Sequence, residues 1–268
     1  MSGFSVEWLA LREPVDMRAR NRDVLGAVAA AFAGRADVSI VDLGSGTGST
    51  LRALGPHLAP SQKWTLVDND LVLLAEAFAR AQGSGATVET RQFDLVDDIA
   101  PLLDADTVLV TTSALLDLVS EPWLANLAAA AAARSLPVYA ALSYDGRVTF
   151  SSPDPVDAQV IAAVNAHQLG NKGFGPALGP RAAAAAERIF GALGYSFMQG
   201  TSDWEAGPSD RDFQHELLAG WRQAAEEMGG VPRDALQGWF ARRRAAIVAG
   251  TLSLTVGHVD FFAQPRKR

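Results

Sequence analysis

The sequence predicts an α/β fold: a doubly wound, mostly parallel sheet with an inserted, mainly helical cap. Three observations predict it. Short apolar runs rich in branched residues alternate with helix-length segments from Val38 to about Tyr144. Parallel strands need crossover connections, and the helices between the runs supply them. The first run ends in a turn with glycine at every second position, "DLGSGTGS", and the carboxyl ends of such strands are where open α/β sheets take their ligands. After Tyr144 the rhythm changes to turns, helices and a glycine- and proline-rich stretch, which marks the insertion.

"VSIVDL" (38–43) is a short branched apolar run and predicts a buried strand. "STLRALGPHLA" follows as a helix stopped by Gly55-Pro56. "KWTLVD" is the second strand. "NDLVLLAEAFARAQG" is a helix that Asn69 or Asp70 can cap and Gly83 can end. "TVETRQF" alternates like a strand, and "DTVLVTTS" is a buried one. "EPWLANLAAAAAARS" is a helix with Pro122 near its first position, and "PVYAALSY" is a strand. Next, "DGRVTFSSPDPVD" is turn-rich, "AQVIAAVNAHQL" helical and "GNKGFGPALGP" a loop. "RAAAAAERIFGALG" is a helix and "YSFMQGTSDW" a strand. Helices are expected at about 210–228 and 232–249, and "TLSLTVGHVDFFAQ" as an edge-forming strand. The resulting division is an N-terminal helical segment over the ligand site (1–36), a core (37–144), a cap or lid (145–180), and a C-terminal part of the core with added helices and a last strand (181–268).

The totals bound the function. A chain of 268 residues fits one large domain or a domain with a cap, and 49% hydrophobic with 20% charged residues supports a full core. The net charge of −7 argues against a surface built broadly for nucleic acid. Arginines cluster early (Arg12, Arg18, Arg20, Arg22) and late (Arg242, Arg243, Arg244); the late run is expected to be a solvated helix face. With no cysteine, disulfides, thiolate metal sites and a cysteine nucleophile are excluded. That composition suits a reducing cytoplasm, which is the expected location. The start "MSGFSVEWLALREP" lacks the pattern of a secretory signal. No stretch reaches the roughly 18 apolar residues of a membrane span.

A dinucleotide turn would read G-x-G-x-x-G. Here Gly44, Gly46 and Gly48 follow each other two apart, and Ser49 stands where the third glycine would be. Asp42 just before them suits a ligand with an ammonium and a sulfonium better than a pyrophosphate. At this point "VDLGSGTGS" resembles the first motif of the class I S-adenosylmethionine-dependent methyltransferases, which have a seven-strand Rossmann-like sheet. The resemblance covers Val38 to about Val119. It implies S-adenosyl-L-methionine as cofactor and a set of contacts: Asp42, Gly44, Ser45, Gly46 and Gly48 at the first turn. Asp68 would hold the ribose diol, its two oxygens accepting two hydrogen bonds, with Asn69 beside it. Asp94 and Leu95 in "FDL" would meet the adenine. Thr112 lies in "VLVTTSALLDLV", which resembles the fourth motif. One early arginine would bind the methionine carboxylate; Arg20 is the candidate chosen.

Methyl transfer needs alignment, exclusion of water and sometimes removal of a proton. Asp117, where many small-molecule members of the family carry histidine, and His167 on the cap helix are the catalytic candidates. Asp117 is equally open to a structural role beside Ser120 and Glu121, and His167 to that of a solvated helix residue. Tyr144, Phe174 and Trp204 are the expected substrate walls, and Trp8, Leu11 and Val15 are expected over the cofactor. His258 is expected to be structural, and no metal is expected. The function expected is methyl transfer to a small molecule. The alternatives are methylation of RNA or protein, or a non-catalytic cofactor-binding module.

Overall fold

The computed structural model describes residues 4–266. Residues 1–3 of the expected N-terminal segment and 267–268 of the last segment lie outside the described residues. The strands are β1 (Asp37–Leu43), β2 (Ser61–Asp68), β3 (Thr87–Gln92), β4 (Leu109–Ser113), β5 (Val138–Phe150), β6 (Tyr195–Thr201), β7 (Trp204–Ala206) and β8 (Leu254–Pro265). They form one sheet in the order β3-β2-β1-β4-β5-β8-β6, with β7 also paired to β8. Strands β1 to β5 pair in parallel, and β8 is antiparallel to β5, β6 and β7. Because β6 and β7 lie along the same side of β8, they work as one strand broken at Ser202 and Asp203.

The sheet is covered on both faces, as buried parallel strands require. Alternate residues of β1 go to opposite cores: Val38 and Ile40 to one, Val41 and Leu43 to the other. The first core takes α2 (Arg22–Phe32), α3 (Ser49–Leu54) and α4 (Leu71–Arg80) through Val24, Val28, Phe32, Leu51, Leu54, Leu74 and Ala77. The second takes α5 (Glu121–Ala133) and α7 (Ala182–Ala192) through Leu124, Leu127, Ala131 and Phe190. The chain leaves β1 towards one face and β4 towards the other. A crevice therefore opens at their carboxyl ends.

Strand β5 corrects the turn expected at "DGRVTF". It runs on to Phe150, with register shifts between Ala140 and Ser143 and between Tyr144 and Val148. Such bulges let turn-type residues stay in a ladder; Gly146 takes φ 88 there. A cap boundary at 145 thus falls inside a strand. At the first bulge Leu142 has φ 56, and its N–H donates to Asp260 of β8 at 2.8 Å rather than to a strand. The same carboxylate accepts from the Asn21 N–H at 3.0 Å and the Tyr139 hydroxyl at 3.3 Å. Strand β8 is likewise not an edge. It lies between β5 and the β6–β7 line and is buried along most of its length.

The cap is built from two places in the chain. One is α6 (Asp157–Gln168) with the loop after it. The other is α8 (Arg211–Met228), which packs on α6 and is followed by α9 (Arg233–Ala249). Residue Arg243 of α9 corrects the expectation of a solvated arginine run. It is 3% exposed and stacks 3.9 Å over Phe150. It also donates to Asp157 at 2.5 Å and to the Ser152 carbonyl at 2.9 Å. Trp239 Nε1 donates to the same Asp157 at 2.8 Å. Only Arg242 and Arg244 of the run stay outside.

Candidate active site

The glycine turn follows β1. Gly44, Gly46 and Gly48 have φ of 64°, 51° and 81°, a region that side chains make costly. Space is short as well: a Cβ on Gly46 would stand 3.2 Å from Leu9 Cδ1, and one on Gly44 3.3 Å from Leu115 Cδ2. The carboxylate of Asp68, at the end of β2, accepts the Gly46 N–H at 2.9 Å and the Asp70 N–H at 3.1 Å. It thereby fixes the turn against the neighbouring strand, and burial pushes its pKa up.

Helix α1 (Val6–Ala19) lies over this turn. Its Glu13 accepts from Arg52 of α3 at 2.5 Å and from Arg80 of α4 at 3.2 Å, while Arg52 also donates to the Thr47 carbonyl at 2.7 Å. Residues Trp8, Leu9 and Arg12 of α1 face the crevice. Arg12 donates through Nε to Asp16 at 2.9 Å, and Asp16 accepts from Trp204 Nε1 at 2.8 Å. Helix α1, the glycine turn and the two-part cap enclose one cavity of about 1180 Å³. That exceeds the roughly 300–1,000 Å³ of a site for one drug-sized ligand.

Of the predicted residues, Gly44, Ser45, Gly46, Asp68, Asn69, Asp94, Leu95, His167 and Phe174 line this cavity. The others do not. Asp42 is fully buried beneath the turn, where its Oδ1 accepts the Thr111 hydroxyl at 2.7 Å and its Oδ2 has no partner. Burial raises its pKa to about 6. Gly48 faces inward, towards Leu66, Ala77 and Arg52. The hydroxyl of Thr112 donates to the Leu43 carbonyl at 2.9 Å and joins β4 to β1. Arg20 is buried, with Tyr139 and Ser113 each at 3.3 Å, so its guanidinium serves the core. Arg12 is the one of the four early arginines that reaches the cavity. Of the residues expected over the cofactor, Trp8 lines it, Val15 is in the core and Leu11 is absent from the lining.

Asp117 sits in the β4–α5 loop, 6% exposed, behind the lining residues Leu115 and Leu118. Its Oδ1 has no partner, and burial raises its pKa to about 6. Its carbonyl accepts the Gly179 N–H at 2.9 Å, and that of Val119 accepts the Leu178 N–H at 2.8 Å, which ties the cap loop to this one. Ala114 in the same loop has φ 50 and lines the cavity. Non-glycine residues held there are a strain that functional sites tolerate. Tyr144 and Trp204, expected as substrate walls, pack instead on His258, with ring centroids at 5.9 and 4.4 Å. The Tyr144 hydroxyl donates to Asn165 at 2.7 Å. Burial lowers His258 to about 4, so it is a neutral core residue.

Sequence reasoning missed Lys172 and the face of α8 carrying Leu217, Trp221 and Gln223, all of which line the cavity. A lysine between glycines carries no signal of its own. The stripe on α8 reads as ordinary amphipathicity.

The backbone space at Gly46, the unpartnered Asp42 Oδ2 and Ser45 Oγ beneath and within the turn, and Asp68 beside it suit a cationic nucleoside. Residues 40–136 match the family model described as a methyltransferase domain. No protein of curated function matches the sequence. Among solved structures, the chain is similar in fold to a cyclopropane-fatty-acyl-phospholipid synthase-like protein from Lactobacillus casei (16% identity, 98% of this chain and 94% of that one, TM-score 0.55). It is also similar to the cyclopropane synthase MmaA2 from Mycobacterium tuberculosis (9% identity, 97% and 94%, TM-score 0.53), and to the YcgJ protein from Bacillus subtilis (16%, 92% and 100%, TM-score 0.51). Residues 40–136 thus carry a methyltransferase domain, and the sheet order and glycine turn are those of the class I S-adenosylmethionine-dependent methyltransferase fold. The methyltransferase domain and the glycine turn point to S-adenosyl-L-methionine as the cofactor. Among the described residues, no helix is long and apolar enough to cross a membrane.

Proposed function

We propose that the protein transfers the methyl group to a small molecule enclosed between the glycine turn and the two-part cap. The observation that carries this is the cavity of about 1180 Å³. One side has the glycine turn, Asp68, Asn69 and Asp94; the other has α6, the loop after it and α8. A site of this size has room for a cofactor and a second small molecule, while two helices roof it over.

The residues divide by side. Asp68 has acceptor positions left for the ribose diol after Gly46 and Asp70 are served. Asp94, Leu95 and Asn69 form the adenine end, and Arg12 takes the methionine carboxylate in place of Arg20. Trp8 and Leu9 close the turn from above and exclude water. Asp42 sits close under the turn, where its charge favours the ammonium. When bound, S-adenosylmethionine supplies a methyl group on a sulfonium leaving group, to be displaced in line by the acceptor. The chain therefore has to align that acceptor and, for an O–H or N–H nucleophile, take up its proton. The free Oδ1 of Asp117, with its pKa raised to about 6, is the group suited to hold that proton. Its place behind Leu115 and Leu118 requires a small shift of that loop, and the strained Ala114 is where it would hinge.

The test is methyl transfer from radiolabelled S-adenosylmethionine into extracts split by size. Label in the small-molecule fraction is expected. Label only in RNA or protein would refute a small acceptor, and binding without any label would indicate a non-catalytic module.

A further inference from the structure

The far wall of the cavity limits what the acceptor can be; this inference rests on the methyl-transfer reading above. Lys172 lines the cavity from the loop after α6. Its Nζ lies 3.0 Å from His167 Nδ1, and His167 Nε2 lies 3.1 Å from Glu227 Oε2 on α8. The other oxygen of Glu227 accepts from Gln223 at 2.9 Å. One proton arrangement satisfies the chain: Nε2–H donates to the carboxylate, and Nδ1 accepts from the lysine ammonium. His167 is therefore oriented by a helix from the other half of the cap.

That arrangement occupies one of the three donors of Lys172. Among the described residues the other two have no protein partner. Among the described residues no carboxylate contacts this half-buried ammonium directly; Glu227, beyond His167, and Asp117 act on it only through space, while burial lowers its pKa. Around it the wall is apolar: Val164, Leu217, Trp221 and Phe174 line the same cavity. Arg222 adds a second cation there, with its nearest carboxylate, Glu226, at 3.7 Å. The one acidic side chain of α8 in the lining, Glu216, lies 3.4 Å from His215, and Asp117 stands behind the wall. A cation at an apolar surface with two donors unused and no carboxylate in contact has room for an anionic partner.

We propose that the acceptor is an amphipathic acid, with an apolar body against α6, α8 and Phe174 and an anionic oxygen group on the Lys172 ammonium. His167 and Glu227 are the positioning pair that aims that ammonium. Three probes of one shape test it: 4-phenylbutyrate, 4-phenylbutanol and 4-phenylbutylamine, titrated calorimetrically into the protein with S-adenosylhomocysteine present. The butyrate is expected to bind about tenfold or more tighter than the other two, as a charge-assisted contact would give. Lys172→Gln should erase that preference while leaving the unfolding midpoint and S-adenosylhomocysteine affinity unchanged. Lys172→Arg should keep most of it, and His167→Phe should weaken it without removing the charge. Butyrate binding no better than the alcohol, or a preference that survives in Lys172→Gln, overturns the proposal. If S-adenosylhomocysteine itself fails to bind, the methyl-transfer reading falls instead.

Discussion

Asp68 offers the sharpest test of the cofactor half. A carboxylate has two oxygens and about four acceptor positions. Two positions are taken by Gly46 N–H at 2.9 Å and Asp70 N–H at 3.1 Å. Asp68 lines the cavity, and its remaining positions suit two hydroxyls. A hydrogen bond to a charged group contributes about 1.5–3 kcal/mol, and the loosened glycine turn adds to the loss. Asp68→Ala should therefore weaken cofactor binding by at least one such bond, about 1.5–3 kcal/mol, or roughly 10–150-fold. Asp68→Asn should fall between, because its NH₂ cannot accept from Gly46. Calorimetry with S-adenosylhomocysteine measures both. Comparing 5′-methylthioadenosine with its 2′-deoxy form separates the diol from the turn: the 2′-hydroxyl should matter in the wild type and little in Asp68→Ala. The sign with pH is also set. Burial raises the Asp68 pKa above the ordinary carboxylate value, so affinity should fall as pH drops through that raised value. Binding by Asp68→Ala within threefold of wild type, with an unchanged unfolding midpoint, would refute this account.

Four further outcomes are expected. If Asp117 takes the acceptor's proton, turnover should rise with pH through about 6 and then level, and Asp117→Asn should lose that limb while cofactor affinity stays nearly constant; normal turnover with an identified acceptor would make Asp117 structural. Burial also makes ionised Asp117 a cost that grows as pH rises from about 4 through about 6, so the Asn variant should be no less stable than wild type at pH 8 in urea unfolding. Arg243→Ala leaves the part-buried Asp157 with only Trp239 Nε1 as a side-chain donor and removes the stacking on Phe150, and should cost about 1–3 kcal/mol in denaturant unfolding; no measurable loss would contradict this pairing. The loop 171–179, with Phe174 edge-on to Trp123 at 5.7 Å, should exchange its amides more slowly with cofactor and acceptor bound than without, and Phe174→Ala should impair acceptor use more than cofactor binding; equal exchange in both states with a normal variant would show that the loop is no lid.

The strand–helix alternation was legible because it is local. A buried strand needs a branched apolar run, and a helix needs caps such as Asp70, whose side chain accepts from the Val72 N–H at 2.7 Å. What misled were features settled by distant partners. Asp145-Gly146 reads as a turn, yet stays in β5 because bulges absorb it. Asp260 satisfies the first bulge from β8, 118 residues away. The final strand reads as an edge because nothing in it says that β6 and β7 will cover it. Arg243 reads as surface until Asp157, 86 residues earlier, is found beside it.

The two halves of the active site differ in the same physical way. The cofactor half is a backbone requirement: three positive φ angles within five residues leave glycine as the economical choice, and a carboxylate one strand over must catch the N–H that the turn turns outward. Such demands show in residue type. The acceptor half is made by docking α6 on α8, elements separated by α7, β6 and β7. Lys172 gains its meaning from His167, and His167 from Glu227, 60 residues further on. No local spacing encodes that chain of contacts. Arg12 shows the boundary between the cases. It could be shortlisted with Arg18, Arg20 and Arg22 by residue type. The choice among them depended on which side of α1 faces the glycine turn, and that is fixed by Glu13 gripping Arg52 and Arg80 from two other helices.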